Sequence, residues 1–154
     1  MDVVEPDVAE GVEPIRDSEG RGVGWRRNIY SYQPIGTPDS GAYVTAADLI
    51  AFHRALVGGK LLGRELTAAA LTPQVLHSRR SGLRLMMGYG FEFRVGDDDR
   101  VRYYQKDGAN VGVSALLRHY PDHDLTLAIL GVGEDAIRGP VAAFDAGVPV
   151  AEPS

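Results

Sequence analysis

The sequence contains no cysteine. Disulfides, thiolate metal sites and a cysteine nucleophile are excluded together, while the compartment stays open on this count. No run of about 18 apolar residues occurs, so no membrane-spanning helix is expected. Positive charge is in deficit: 16 Lys and Arg stand against 21 Asp and Glu, a net charge of −5. The basic residues are scattered, and Arg26-Arg27 and Arg79-Arg80 are only pairs. That argues against nucleic acid as a partner. The acidic start MDVVEPDVAEGVEP lacks a basic segment followed by an apolar one. It does not read as a signal peptide, so the default expectation is cytoplasmic. A chain separated from its natural front end fits equally well.

There is also no internal repeat, no heptad pattern and no phosphate-cradling loop. GKLLG lacks the strand-turn-helix setting and the Lys-Ser/Thr pair that such a loop needs. What remains is 154 residues, 44% apolar and 24% charged, enough for one globular domain.

Residues 1–41 are rich in Gly, Pro, Asp and Glu. They are expected to be irregular, with one short extended piece at 24–32 around Trp25, Ile29 and Tyr30. From Thr45 the pattern sharpens. Thr45 is placed as a helix N-cap, with Asp48 in the reciprocal capping position. Leu49, Phe52, Ala55 and Leu56 give one apolar face, and Gly58-Gly59 ends the helix. A second, shorter helix is expected over 64–71, stopped before Pro73. LHSRRSGLR reads as a polar loop.

After Met87 the hydrophobic period changes to two. Tyr89, Phe91, Phe93 and Val95 fall on one side of a strand. GDDD is a turn and RVRYYQK the return strand. VGVSALLRHY is a third strand. LTLAILGVG is a fourth, apolar on both sides and therefore expected to be buried on both faces. A last short helix is expected over 140–146, with Pro140 in its first turn. The fold class is α+β: an antiparallel sheet of three to four strands, with two helices before it and one short helix after.

Little in this chain presents itself as chemistry. His119 and His123 flank Pro121-Asp122, a turn, so their spacing of four does not share a helix face; both read as solvated hairpin residues. His53 reads as a surface or half-buried helix residue, and nothing positions His77. Asp97, Asp98 and Asp99 are consecutive and lack the wider calcium-loop pattern, so they read as a solvated turn. No metal and no cofactor is implied. The remaining stretch is QKDGANVG, at the end of an aromatic strand. The residues alone leave two readings open: a strand running into a glycine turn, with Lys106 and Asp107 on opposite faces, or the lining of a cleft.

Taken together, GAYVTAADLIAFHRALVGGKLL, LTPQ, MMGYGFEF and QKDGANVGVSALLRHYPDHDLTLAILGVG, within 36–133, carry a resemblance. Their order and spacing resemble the C-terminal half of the serine β-lactamase and penicillin-binding-protein-like family, of the class C β-lactamase and esterase type. VAEGVEPIRDSEGRG resembles the linker after that family's second motif. The resemblance implies a partial β-lactamase/transpeptidase-like fold over 42–154, following the segment 1–41. It implies hydrolysis of an ester, amide or lactam through an acyl-serine.

By the same resemblance, Lys106 takes the first place of the third active-site motif and shapes the site's electrostatics. Asp107 stands where a Ser or Thr contacts substrate. Gly108 leaves room for substrate along the strand edge. The backbone N–H of Ala109 matches an oxyanion-hole donor. Two departures follow. Asp107 accepts hydrogen bonds where a hydroxyl donates, which disfavours anionic substrates. The family's Ser-x-x-Lys and Tyr-x-Asn occur nowhere in the 154 residues, so no nucleophile is assigned. The expectation is a truncated, inactive hydrolase, or else an interaction module or half of a split hydrolase. In the family the strand matching 124–132 pairs outward with N-terminal strands. Its edge is therefore expected to be bare, a template for self-association or a complementary chain.

Overall fold

The computed structural model describes residues 8–28, 31, 37, 40–80 and 82–147. Its centre is a six-stranded antiparallel meander in which every strand pairs with its sequence neighbour. The strands are β3 (Val75–Arg80), β4 (Leu83–Met87), β5 (Glu92–Gly96), β6 (Val101–Asn110), β7 (Val113–Tyr120) and β8 (Leu125–Val132). A separate hairpin, β1 (Val12–Arg16) with β2 (Gly22–Arg27), precedes α1 (Ala46–Val57) and α2 (Arg64–Ala70). Helix α3 (Arg138–Gly147) follows the sheet.

The class is the α+β expected, but the sheet is wider than three to four strands. The segment read as a polar loop, 76–84, supplies most of β3 and the start of β4. Arginines and a serine conceal the period there, because β3 is exposed along its whole length. Residues 12–23, expected to be irregular, form the β1–β2 hairpin together with 24–27, which are extended as expected. Cross-strand pairs such as Pro14 with Trp25 hold it, not an apolar alternation. Residues 29, 30 and 32 of the expected extended piece lie outside the described residues.

The start of α1 is built as its sequence dictates. Thr45 accepts from the Asp48 N–H through Oγ1 at 3.1 Å, and the Asp48 carboxylate accepts from the Thr45 N–H at 2.9 Å. Both orphan donors are thereby satisfied. The inward stripe is rotated from the expected one. Leu56 and His53 are buried, whereas Phe52 is 48% exposed.

Alternation assigns each sheet face. Tyr104 stands opposite Phe93 on β5 and His119 on β7, all facing α1. The core lies on this side: Leu56, Phe91, Phe93, Val95 and Tyr104, with Leu71, Met86 and Val101 against it. The Phe91 and Tyr104 rings meet edge-on, with centroids 5.4 Å apart. Tyr89, expected beside them, precedes the strand and is exposed.

On the opposite face, Arg118 fastens α3. Its Nη1 donates to both Asp145 oxygens at 2.7 and 2.9 Å, and its Nε donates to Gln105 Oε1 at 2.9 Å. Tyr120 Oη donates to Asp145 at 2.6 Å, completing the network. The turn aspartates also have structural partners, since Asp98 pairs with Arg102 and Asp99 with Arg84.

Strand β8 is not buried on both faces. It ends the sheet order, and Leu125, Leu130 and Val132 remain 37–50% exposed. Apolarity on both sides of a strand signals burial only when partners cover both sides. Within the described residues, β7 is its single strand partner.

Candidate active-site edge

The stretch YQKDGANVG spans the second half of β6 and the turn to β7. Pairing with β5 stops at Gln105, opposite Glu92. Beyond it, residues 106–110 pair with β7 alone. All five are exposed, while Tyr104 and Gln105 just before them are buried. Among the described residues, one edge of β6 is therefore open over this half.

Backbone alternation decides which groups face that opening. Asn110 and Val113 close a two-residue turn and pair across it. In an antiparallel ladder, hydrogen-bonded and non-bonded pairs alternate from such a closing pair. Ala109, opposite Ser114, occupies the intervening position, so its N–H points away from β7 to the open edge. Lys106, opposite Leu117, shares the α1 face with Tyr104. Asp107 takes the other face, as the alternation required. There it lines a recess of about 270 Å³ under α3, with Gln105, Arg118, Arg138 and Asp145. The four sequence-assigned positions thus lie on one strand half but do not converge: Lys106 and Asp107 diverge across the sheet.

Gly108 differs from its neighbours in what it lacks. A Cβ built there meets nothing within 4 Å. Glycine inside a strand costs about 0.5–1 kcal/mol relative to alanine through backbone entropy, and no packing among the described residues requires it.

Gly112 is the opposite case. Its φ is +79°, and a Cβ would lie 2.8 Å from Val12 N. The close approach exists because the foot of the β1–β2 hairpin packs on this turn. Asn28, 4% exposed, donates from Nδ2 to the Val111 carbonyl at 2.6 Å. Its own N–H donates to the Gly11 carbonyl at 2.9 Å. The Gly133 N–H donates to Gly112 O at 2.7 Å, tying in the end of β8. Asn28 thus positions the tip of the candidate strand from 83 residues away. Nothing local in the sequence marks it.

Of the histidines, His53 and His119 prove to be interior. His119, expected to be solvated, is half-buried and packs against the His53 and Tyr104 rings at 4.6 and 5.2 Å. Burial, with His119 close by, pushes the His53 imidazole down to about 4. Burial also raises the Tyr104 phenol to about 12, so neither group exchanges protons near neutrality. Among the described residues no cluster of three His, Asp or Glu could hold a metal ion.

A family model described as Beta-lactamase matches residues 5–146. Among solved structures, the chain is similar to a penicillin binding protein from Bacillus halodurans, with 29% sequence identity and a TM-score of 0.76. The match covers 91% of this chain and 40% of that one, so the chain spans less than half the length of that protein. No curated protein matches it.

Proposed function

Because this chain belongs to the β-lactamase family of serine hydrolases, we propose that it forms one wall of an acyl-serine site and does not turn over substrate alone. The observation that carries the reading is the open half-edge of β6, where Gly108 leaves space that none of the described residues fills. An ester, amide or lactam laid along that edge meets the outward Ala109 N–H. An oxyanion donor of this kind contributes roughly 3 kcal/mol to the transition state. The Lys106 ammonium, on the α1 face, stabilises negative charge developing there. Asp107 accepts but does not donate hydrogen bonds, and it disfavours an anionic substrate.

The nucleophile and its base are not in these residues: no serine is followed three positions later by lysine. Positioning and nucleophile activation supply most of the rate in such sites, so a wall by itself is inert. The test uses the chain with a chromogenic lactam and a short-chain nitrophenyl ester. No saturable turnover and no acylated serine are expected. Saturable turnover lost in Lys106→Ala overturns the inertness. If the upstream coding region supplies Ser-x-x-Lys followed by Tyr-x-Asn, co-expression of that segment should generate turnover that Lys106→Ala removes. No turnover from the pair overturns the wall assignment.

A second reading rests on β8. Its outer edge, unpaired among the described residues, and its exposed Leu125, Leu130 and Val132 suit an interaction module that completes its sheet with another chain. Size-exclusion at micromolar concentration distinguishes the cases. Self-association that Leu130→Lys abolishes supports this use of the edge, and a well-behaved monomer counts against it.

A further inference from the structure

The recess under α3, about 270 Å³, lies on the sheet face opposite Lys106. It is just below the usual size of a drug-sized site, so an occupant is small. Two cross-strand pairs make its floor, Gln105 with Arg118 and Asp107 with Leu116. Ile137, just before α3, and Val141 and Asp145 on it recur at intervals of four and make the roof.

The polar groups of this recess are held in place and only partly used. Arg118 is 6% exposed and Gln105 7%. The guanidinium lies over the Tyr103 ring at 4.2 Å, which fixes its plane. Its Nε donates to Gln105 Oε1, and its Nη1 to Tyr120 Oη and Asp145. Among the described residues, Nη2 has no hydrogen-bond partner. The Gln105 amide is oriented by its bond, because only its oxygen can accept from Nε. Its Nε2 is then the free end, and it too has no partner among the described residues. Neither nitrogen is sealed from solvent, in contrast to Arg94 Nη1. Asp107 is exposed, and its carboxylate has neither a hydrogen bond nor an ion pair among the described residues.

Asp145 balances Arg118, and Asp135 balances Arg138 at the mouth. Asp107 is left uncompensated on this face. A bare anion finds the two N–H donors but meets Asp107. A bare cation finds Asp107 but leaves both donors idle. We propose that the recess binds a zwitterionic α-amino acid with an apolar side chain. Its carboxylate accepts from Arg118 Nη2 and Gln105 Nε2, and its ammonium donates to Asp107. Its side chain lies against Leu116, Ile137 and Val141. Gln105 and Asp107 are two positions apart on β6, roughly 7 Å along the strand. Two charged groups on one carbon bridge that gap with a hydrogen bond at each end.

The test is titration of the chain with DL-leucine, followed by calorimetry and by amide NMR shifts. Saturable one-to-one binding is expected, with shifts centred on 105–107, 116–118 and α3. Isocaproate, which lacks the ammonium, and isopentylamine, which lacks the carboxylate, should each bind about tenfold more weakly. Asp107→Asn should weaken leucine by about tenfold and leave isocaproate no weaker. This variant removes no contact within the described residues, so its fold is not at stake. No saturation by about 10 mM leucine, isocaproate or isopentylamine binding as tightly, or shifts confined to the α1 face overturn the proposal. Any of these leaves the wall assignment of β6 untouched.

Discussion

His53 Nε2 and Tyr104 Oη meet at 2.7 Å across 51 positions of sequence, joining α1 to the middle of β6. The pair lies beside the aromatic core, with Tyr104 6% and His53 3% exposed. Tyr104→Phe keeps the ring and removes the partner, stranding a buried imidazole nitrogen. A loss of about 1–3 kcal/mol is expected in urea unfolding. A change under a few tenths would mean that water replaces the hydroxyl.

Global stability should depend on acid with a definite sign. His53 is depressed from 6.5 to about 4 by burial and by His119. The unfolded chain therefore binds its proton first. Stability is fully present above about pH 6.5, declines from there to about pH 4, and is flat below as far as this group is concerned. The decline is at most about 3 kcal/mol. Denaturant midpoints measured across that range check it, and His53→Gln should flatten the curve.

The two glycines of the candidate edge should respond oppositely. Gly112→Ala forces a Cβ into the Val12 backbone at a φ of +79°. It should cost about 1–3 kcal/mol. Gly108→Ala meets open space, and should be neutral or stabilising by about 0.5 kcal/mol in the isolated chain. Thermal unfolding of both variants is the check. If Gly108→Ala also proves costly, its space is used within this chain and the proposed role weakens.

Arg118 holds α3 through a guanidinium 7% exposed, while its partner Asp145 retains 38%. Removing the arginine leaves a carboxylate that can partly rehydrate. Arg118→Met should therefore cost about 2–3 kcal/mol, below a fully buried pair. Loss of α3 protection in hydrogen exchange should accompany it.

Thr45→Ala removes one half of the α1 capping box. The expected loss is about 1 kcal/mol. Thr45→Ser, which keeps the hydroxyl, should recover most of it in the same unfolding assay.

The sequence by itself settled whatever is decided within a few residues. Thr45 and Asp48 cap their helix because each reaches the other's backbone across three positions. Phe91, Phe93 and Val95 alternate because a strand turns its side chains every second residue. The missing Ser-x-x-Lys is likewise a plain sequence fact, and the run of spaced segments carried the family. Tertiary structure decided what depends on distant partners. β3 is a strand because the neighbouring ladder satisfies its backbone, although its side chains advertise a loop. His53 and His119 are interior because the chain brings helix and sheet together over them. Asn28 reaches Val111 across most of the molecule. The open half-edge at Gly108 arises because β5 ends its pairing five residues before β6 does. Local pattern records a residue's own preferences, whereas burial and pairing belong to the partners it meets.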